Sequence, residues 1–248
     1  RQRRAQFGRR PVDPQPVLRN RRSGATQRAD AGKQAFHRSV TAATSEGRER
    51  LRWLRIADYV ADVATVAATL PVAPILIGHS MGGLVAQKYL ERHPAPAAVL
   101  LASVPTAGAT GAALRVLRHH PVQFAKINAR LSLYPVVETV ALAHEYLFSP
   151  TTPPERVAAV QPQLQDESYR AFLDMMTSLP RPKRVAAPVL VLGAADDGIF
   201  APREVEATAR AYHTAATLYP GMGHNLMLDA GWERVAADIV AWLTARGL

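Results

Sequence analysis

The chain has 248 residues, of which 48% are apolar and 20% are charged, a composition typical of a globular domain. It contains no cysteine, which excludes disulfides, thiolate metal sites and a cysteine nucleophile. The formal net charge is +10, but +9 of it lies in residues 1–50. The rest of the chain is almost neutral, so no nucleic-acid partner is expected for it.

Residues 1–44 form a basic segment in which arginine, glutamine, proline and glycine dominate and apolar residues are scattered. Such a segment has no recognisable fold. It lacks the apolar stretch of a secretory signal, and we therefore expect a cytoplasmic protein. A role for this segment in binding nucleic acid or another acidic partner is an alternative, but no binding motif accompanies it. The longest uncharged stretch, residues 94–114, is interrupted by prolines and glycines, so no transmembrane segment is expected.

From residue 51 onwards, helical patterns alternate with short apolar runs. Apolar residues recur at steps of three and four from Ile56 to Leu70, which predicts an amphipathic helix that ends before Pro71. Strands that alternate with helices indicate a parallel sheet, and apolar runs such as residues 74–78 indicate strands buried on both faces. The long stretch between the second and third strands predicts a helical insertion. Strands are predicted at residues 74–78, 98–104, 188–192 and 216–219, and helices at residues 82–92, 203–212 and from Trp232 to Trp242.

The segment with the clearest chemical meaning is residues 78–83, which read GHSMGG. This is a G-x-S-x-G motif between a predicted strand and a predicted helix, a context that exposes the serine on a sharp turn. We therefore interpret Ser80 as a nucleophile, with small residues required two positions away at Gly78 and Gly82. The helix that follows offers backbone N–H donors and a positive dipole end to a developing oxyanion.

A serine nucleophile requires a base, and the base requires a carboxylate that orients it. His224 lies in a loop between the last short strand and the final helix, and the order Ser…Asp…His makes it the candidate base. Asp196 and Asp197 both follow the end of the third strand. Asp197 is favoured as the acid, and Asp196 stays open as the alternative. His79 is interpreted as a packed residue that points away from the site.

These segments resemble the α/β-hydrolase superfamily, and within it the lysophospholipase-like and esterase-like serine hydrolases, over residues 45–248. The resemblance implies an α/β-hydrolase fold, a mostly parallel sheet with flanking helices, and a helical cap at about residues 106–182. It also implies roles for Ser80 as nucleophile, Asp197 as acid and His224 as base, with the Met81 N–H beside Gly82 as an oxyanion donor. No metal or organic cofactor is implied. Epoxide hydrolases and haloalkane dehalogenases need an aspartate nucleophile at this position, so Ser80 argues against these relatives.

The chain departs from the family pattern at its N-terminal end. Members of the family begin with further strands, and the loop after a His-Gly pair at the end of one of them supplies the second oxyanion donor. Neither these strands nor the His-Gly pair is recognisable in this sequence. The N-terminal half of the sheet is therefore missing from the pattern. We hypothesise that residues 1–44 are a frame-shifted translation of that half, because a Gly-His-Gly-Gly-Asp codon run that loses one base yields the sequence of residues 40–44. A genuine basic tail is the alternative.

The sequence therefore predicts a serine hydrolase that cleaves a carboxylic ester or thioester through an acyl-serine intermediate. A small-molecule or lipid-like ester, such as a monoacylglycerol or lysophospholipid, is the substrate that the resemblance implies. The alternative is a catalytically impaired remnant or binding module, because the first strands are missing. Several apolar residues of the insertion are candidates for an acyl pocket or for the insertion's own core: Phe124, Leu131, Tyr134, Tyr146, Phe148, Phe172 and Met175.

Overall fold

The computed structural model describes residues 45–248, and the predictions made for residues 1–44 lie outside these described residues. A parallel sheet with the strand order β1-β2-β3-β4 forms the centre of the fold. Leu76 lies opposite Ala98, and Ala98 lies opposite Val189. The strands are β1 (Leu76–His79), β2 (Ala98–Leu101), β3 (Val189–Ala194) and β4 (Ala216–Tyr219). Within the described residues the sheet has these four strands, as expected for an α/β-hydrolase sheet without its N-terminal half.

Helices cover both faces of the two central strands, so the two faces of the sheet have separate apolar cores. Leu100 and Val191 face one core, together with residues of α3 and α9. Val99 and Leu192 face the other core, which α10 covers. This alternation is the period of two that a strand imposes on its side chains. The helices outside the insertion are α1 (Ser45–Leu51), α2 (Ile56–Ala67), α3 (Met81–Leu90), α9 (Pro202–Ala211) and α10 (Trp232–Thr244).

The segment between β2 and β3 contains only helices and turns among the described residues. It packs on the body through a third apolar core, in which Met175 meets Ile56 of α2 and Leu84 of α3. The boundaries of the predicted cap, residues 106–182, stay a prediction. The α-helices of this segment are α4 (Thr110–His119), α5 (Pro121–Arg130), α6 (Val140–Leu147), α7 (Pro154–Val160) and α8 (Tyr169–Thr177), with 3₁₀ turns at Tyr134–Val136, Gln161–Gln163 and Pro182–Arg184.

The prediction that the first strand is buried on both faces was wrong. Ile77 is 55% exposed, so the described elements leave the face of β1 that carries it partly open, and the outer edge of β1 has no described partner strand. A groove of about 510 Å³ runs along this edge, lined mainly by apolar residues of α2, β1 and α3 and of the loop before β1. An apolar run therefore indicated a strand correctly without indicating that both of its faces are covered.

Two strand boundaries differ from the predicted ones for reasons that lie in the backbone. β1 begins at Leu76, two residues after Pro74, which has no N–H to donate to a neighbouring strand. β2 ends at Leu101, because Ala102 has a φ of +40°, which turns the chain out of the extended conformation. The turn that follows brings Val104 N to 3.1 Å from the carbonyl oxygen of the nucleophile candidate Ser80 and places Ser103 against Gly83.

Candidate active site

Ser80 lies at the carboxyl end of β1, on the sharp turn that leads into α3. Its φ of +51° and ψ of −120° are unfavourable for a residue with a side chain, and such strain costs about 1–3 kcal/mol. The backbone around it holds this conformation. The Ser80 N–H donates to the Leu101 carbonyl at 3.0 Å, and the Ser80 carbonyl accepts from Gly83 N at 3.0 Å and Val104 N at 3.1 Å.

The glycines of the motif have different structural roles. A Cβ on Gly78 would lie 2.5 Å from the Gly82 carbonyl oxygen, and one on Gly83 would overlap the side chain of Ser103. A Cβ on Gly82 would meet nothing within 4 Å. The expected need for a small residue therefore holds by geometry at Gly78, but on the far side of Ser80 it falls on Gly83 instead of Gly82.

The structure places Asp197 against His224 and not Asp196. His224 Nδ1 lies 2.9 Å from Oδ2 and 3.1 Å from Oδ1 of Asp197. Because the carboxylate only accepts, Nδ1 carries the proton and Nε2 is left as an acceptor. Asp196 instead accepts from the N–H of Gly221 at 2.9 Å, at the start of the same loop.

The Asp197–His224 pair is shielded from water and fixed by its neighbours. The two side chains are 0% and 2% exposed. Asp197 Oδ1 also accepts from the backbone N–H groups of Ile199 at 2.7 Å and Phe200 at 3.0 Å. The Phe200 ring meets the His224 ring edge-on at 5.6 Å between centroids. This arrangement holds the imidazole in one tautomer and one orientation, as a general base requires.

Sequence reasoning missed the position of His79. Its Nε2 donates to the His224 carbonyl at 3.0 Å, and the two ring centroids are 4.8 Å apart. Burial, together with the nearby His224, lowers the pKa of His79 to about 4, so the ring is neutral at neutral pH. The motif indicated where His79 lies along the chain, but a sequence pattern does not report the direction of a ring.

Ser80 and His224 line one cavity, together with His79, Met81 and Gly82. Its volume is about 370 Å³, within the range of small-ligand sites. The Met81 N–H lies in the first turn of α3, where an N–H has no intrahelical acceptor. Within the described part of the chain, no direct hydrogen bond joins the Ser80 hydroxyl to the His224 ring. Catalytic hydrogen bonds of free enzymes are often long and tighten only with substrate.

The remainder of the cavity wall comes mostly from the segment between β2 and β3. Of the predicted acyl-pocket candidates, Phe124, Tyr146, Phe172 and Met175 line the cavity. Phe148 instead packs in a small core of the insertion with Ala143 and Val157. Leu131 and Tyr134 are also outside the cavity wall. Further apolar lining residues that the prediction missed are Ala109, Ala112, Ala113, Val116, Ile127, Leu133, Val136, Val137, Leu147, Leu164, Ile199 and Phe200.

Few polar side chains line the cavity apart from those of the Ser80 and His224 segments. Asn225 belongs to the His224 segment, and Gln165 and Glu167 of the insertion are the others. Although the Glu167 residue as a whole is exposed, partial desolvation of its carboxyl group and the nearby Asp166 raise its pKa to about 7. No group of three or more potential metal ligands occurs among the described residues.

Solved structures with the same fold include proteins of differing activity. An esterase from Thermogutta terrifontis is 21% identical, with a TM-score of 0.60, over 78% of this chain and 74% of its own. A monoacylglycerol lipase from Paleococcus ferrophilus is 22% identical, with a TM-score of 0.56, over 78% and 76%. A protein described as a non-heme bromoperoxidase from Mycobacterium tuberculosis H37Rv is 24% identical, with a TM-score of 0.58, over 78% and 75%. At these identities the likeness shows the fold alone.

The sequence comparisons define the family. No curated protein sequence matches this chain. The sequence profile of the alpha/beta hydrolase family matches residues 21–238. That match begins upstream of residue 45, where the resemblance was expected to start. The matched residues, the parallel sheet and the structural neighbours agree, and the chain belongs to the alpha/beta hydrolase family.

Proposed function

We propose that the protein hydrolyses a carboxylic ester or a thioester through an acyl-serine intermediate on Ser80. The observation that carries the proposal is the buried Asp197–His224 pair, whose histidine lines the same apolar cavity as a strained, half-buried Ser80. Neither part suffices alone, because a serine hydroxyl is a weak nucleophile until a base accepts its proton. The esterase and lipase among the structural neighbours support the same reaction class.

In the first half of the reaction, His224 Nε2 accepts the Ser80 proton while Oγ attacks the acyl carbon. The negative charge that develops on the carbonyl oxygen is stabilised by the Met81 N–H and by the positive end of the α3 dipole. Asp197 stabilises the imidazolium that forms. The bond to the leaving group then breaks, and His224 returns its proton to the departing alcohol or thiol.

In the second half, water replaces the leaving group. His224 accepts a proton from water, whose oxygen attacks the acyl-serine carbon, and the serine oxygen leaves with the proton that His224 gives back. The products are a carboxylic acid and the free enzyme. The second oxyanion donor that the resemblance calls for is not recognisable in the sequence, and a lost donor of this type costs about 100- to 1000-fold in rate.

The substrate class follows from the cavity. Its wall is dominated by apolar side chains from the insertion, which suit an apolar acyl chain and leave the ester group beside Ser80 and His224. A monoacylglycerol or lysophospholipid carries such a chain. The name of the Paleococcus ferrophilus lipase supports a substrate of this kind.

The proposal is tested by steady-state hydrolysis of p-nitrophenyl esters of short and medium acyl chains. Ser80→Ala and His224→Ala are expected to abolish turnover. Asp197→Asn is expected to lower kcat about 10⁴-fold, because asparagine orients the imidazole in the wrong tautomer. Asp196→Asn is the matched control, since it removes a neighbouring carboxylate that does not contact His224. Loss of turnover in Asp196→Asn with retention in Asp197→Asn would reverse the assignment.

A second candidate is an impaired hydrolase that binds ligands without turnover. The four-stranded described sheet and the absence of a recognisable second oxyanion donor favour it. Ligand binding by the wild-type protein without hydrolysis of any ester in the series would support this candidate. Turnover that depends on Ser80 would exclude it.

A further inference from the structure

Asp229 is a buried carboxylate with an unusually full set of donors. The residue is 0% exposed. Its Oδ2 accepts from Gly223 N at 2.7 Å and from Ser149 N at 2.9 Å. Its Oδ1 accepts from the hydroxyl of Thr152 at 2.6 Å, the hydroxyl of Ser149 at 3.3 Å and Ala230 N at 3.1 Å. One side chain therefore joins the loop that carries His224 to the segment that follows α6.

The backbones of these two segments are in direct contact. Asn225 N donates to the Leu147 carbonyl at 2.8 Å. A Cβ on Gly223 would lie 2.6 Å from Ser149 N, so no larger residue fits between the two chains. His224 thus lies between two anchored neighbours. Gly223 packs against residues 148–149 and donates to Asp229, and Asn225 donates to Leu147.

The end of α6 also contacts the loop of the acid. A Cβ on Gly198, the residue after Asp197, would lie 2.8 Å from the Cα of Tyr146. The same short stretch of the insertion therefore meets Asp197's loop on one side and His224's loop on the other. A shift of this stretch would change the distance between the base and its acid.

We propose that Asp229 is a positioning residue that sets the place of His224 relative to Asp197 and Ser80. This inference rests on the proposed function, because it assumes that His224 acts as the base. Asp229 is not among the residues that line the cavity, so it acts through His224 and touches no substrate. Its single Oδ2 binds both Gly223 N and Ser149 N, which fixes the spacing between the base loop and the end of α6.

The charge of Asp229 suits this role. Burial by itself raises a carboxyl pKa, but the hydrogen bonds from Thr152 and from the backbone N–H groups outweigh it and hold the Asp229 pKa below its usual range. The ionised carboxylate only accepts, which matches five donors. An amide in its place would direct an NH₂ group towards at least one of those donors.

A second buried carboxylate provides a matched control. Asp174 of α8 is 3% exposed and also ties the insertion to the body. It accepts from Arg55 Nη2 at 3.0 Å and from Ile56 N at 3.2 Å. It contacts neither the Asp197 loop nor the His224 loop. Asp174→Asn therefore tests the loss of a buried carboxylate without disturbing the base.

The experiment compares wild type, Asp229→Asn and Asp174→Asn in thermal melts, p-nitrophenyl ester kinetics and ¹H NMR of the His224 Nδ1–H proton that bonds Asp197. We expect Asp229→Asn to lower kcat about 100-fold, the effect of a small misplacement of a reacting group, with little change in KM. In Asp229→Asn, the downfield resonance of the His224 Nδ1–H proton is expected to shift or disappear. Asp174→Asn is expected to lose thermal stability but to keep kcat and the resonance.

A folded Asp229→Asn protein with the wild-type kcat and the wild-type resonance would overturn the inference. If Asp229→Asn does not fold, Thr152→Val replaces it, because it removes one 2.6 Å donor and leaves the carboxylate in place. Thr152→Val is expected to lower kcat severalfold at unchanged KM, and an unchanged kcat would overturn the inference. If wild type hydrolyses no ester, the proposed function fails, and the resonance alone decides whether Asp229 positions His224.

Discussion

Tyr59 and Tyr146 have buried hydroxyl groups without a hydrogen-bond partner in the described part of the chain. Tyr146 is 4% exposed, and burial, with the nearby Glu145, raises its pKa to about 12. A buried hydroxyl without a partner loses its hydrogen bonds to water and gains none, which destabilises the fold. The hydroxyl of Tyr146 is therefore expected to lower the stability of the fold.

Tyr146→Phe is expected to raise the free energy of unfolding by about 1–3 kcal/mol, because it removes an unpaired polar group without changing the ring. Urea denaturation measures the change. The control is Tyr219→Phe, whose hydroxyl donates to Asp238 at 2.8 Å and whose loss is expected to destabilise the protein. A Tyr146→Phe protein less stable than wild type would show that the hydroxyl has a stabilising partner.

Glu167 gives the protein a measurable pH dependence. Its pKa is about 7 in the folded protein against 4.5 for an ordinary glutamate, so the folded chain holds this proton more tightly than the unfolded chain. The free energy of unfolding of wild type should therefore fall, relative to Glu167→Gln, as the pH rises from about 4.5 to about 7. The two proteins should be nearly equal at pH 4.

Urea titrations of wild type and Glu167→Gln across this pH range measure the difference. Glu155→Gln, at an exposed position of α7, controls for the loss of one surface charge. A stability difference between wild type and Glu167→Gln that does not change with pH would contradict a raised pKa at Glu167.

Single residues also mark where prediction from sequence ends. Ser80, Asp197 and His224 were found because a motif, a strand end and a chain order constrain them. The role of His79 as a donor to the His224 carbonyl was missed, because it depends on a side-chain direction between segments distant in sequence. Asp229 was missed for the same reason, since a lone aspartate in a loop carries no periodic signal.

The element that decides the chemistry is the turn between β1 and α3. Ser80 is held in its strained conformation by hydrogen bonds to β2 and to the residue that follows Ser103. Close packing around the turn leaves space for Ser80 only if its neighbours have no side chain at the points of contact. The two glycines at positions 78 and 82 differ in this respect, and they form a natural pair for comparison.

Gly78→Ala is expected to lower the free energy of unfolding by at least about 1–3 kcal/mol, because its Cβ would lie 2.5 Å from backbone that cannot move aside. Gly82→Ala, with nothing within 4 Å of its Cβ, is expected to leave stability unchanged or slightly raised. Thermal melts of the two variants give the comparison. Equal stability of Gly78→Ala and wild type would contradict the close packing of the turn.

Prediction succeeded for elements with a strong period and failed where tertiary contacts decide. The helix that begins at Ile56 and the strand Ala216–Tyr219 were predicted within a few residues. The strand Leu76–His79 was predicted too, but its apolar run did not reveal that one edge has no described neighbour. The helices of the insertion were not resolved from sequence, because their apolar faces contact one another and the cavity at the same time.

At the scale of the whole molecule, two parts of the chain form the candidate site: the insertion, which is the segment between β2 and β3, and the body, which is the rest of the described residues. The body supplies Ser80, Asp197 and His224 from the carboxyl ends of its strands, the edge at which ligands bind in open parallel sheets. The insertion supplies most of the apolar wall. Asp229 joins them beside the His224 loop, and the Arg55–Asp174 ion pair at 3.0 Å joins them at α8.

The family and the fold of the chain are established, whereas the origin of residues 1–44 is a hypothesis. Membership of the alpha/beta hydrolase family and the parallel sheet are confirmed. None of the described helices has the length and apolar character needed to span a membrane. The frameshift hypothesis for residues 1–44 stays a prediction. Translating the coding DNA of this segment in the frame shifted by one base would test it. A strand ending in His-Gly in that reading frame would support it.

The central claim is that Ser80 is an activated nucleophile, and covalent labelling with a fluorophosphonate followed by peptide mass mapping tests it most directly. We expect one label per chain, on the peptide that contains Ser80. Ser80→Ala and heat-denatured protein should not be labelled, since labelling requires the folded arrangement of Ser80 and His224. Absence of labelling in folded wild-type protein, or equal labelling of Ser80→Ala, would contradict the claim.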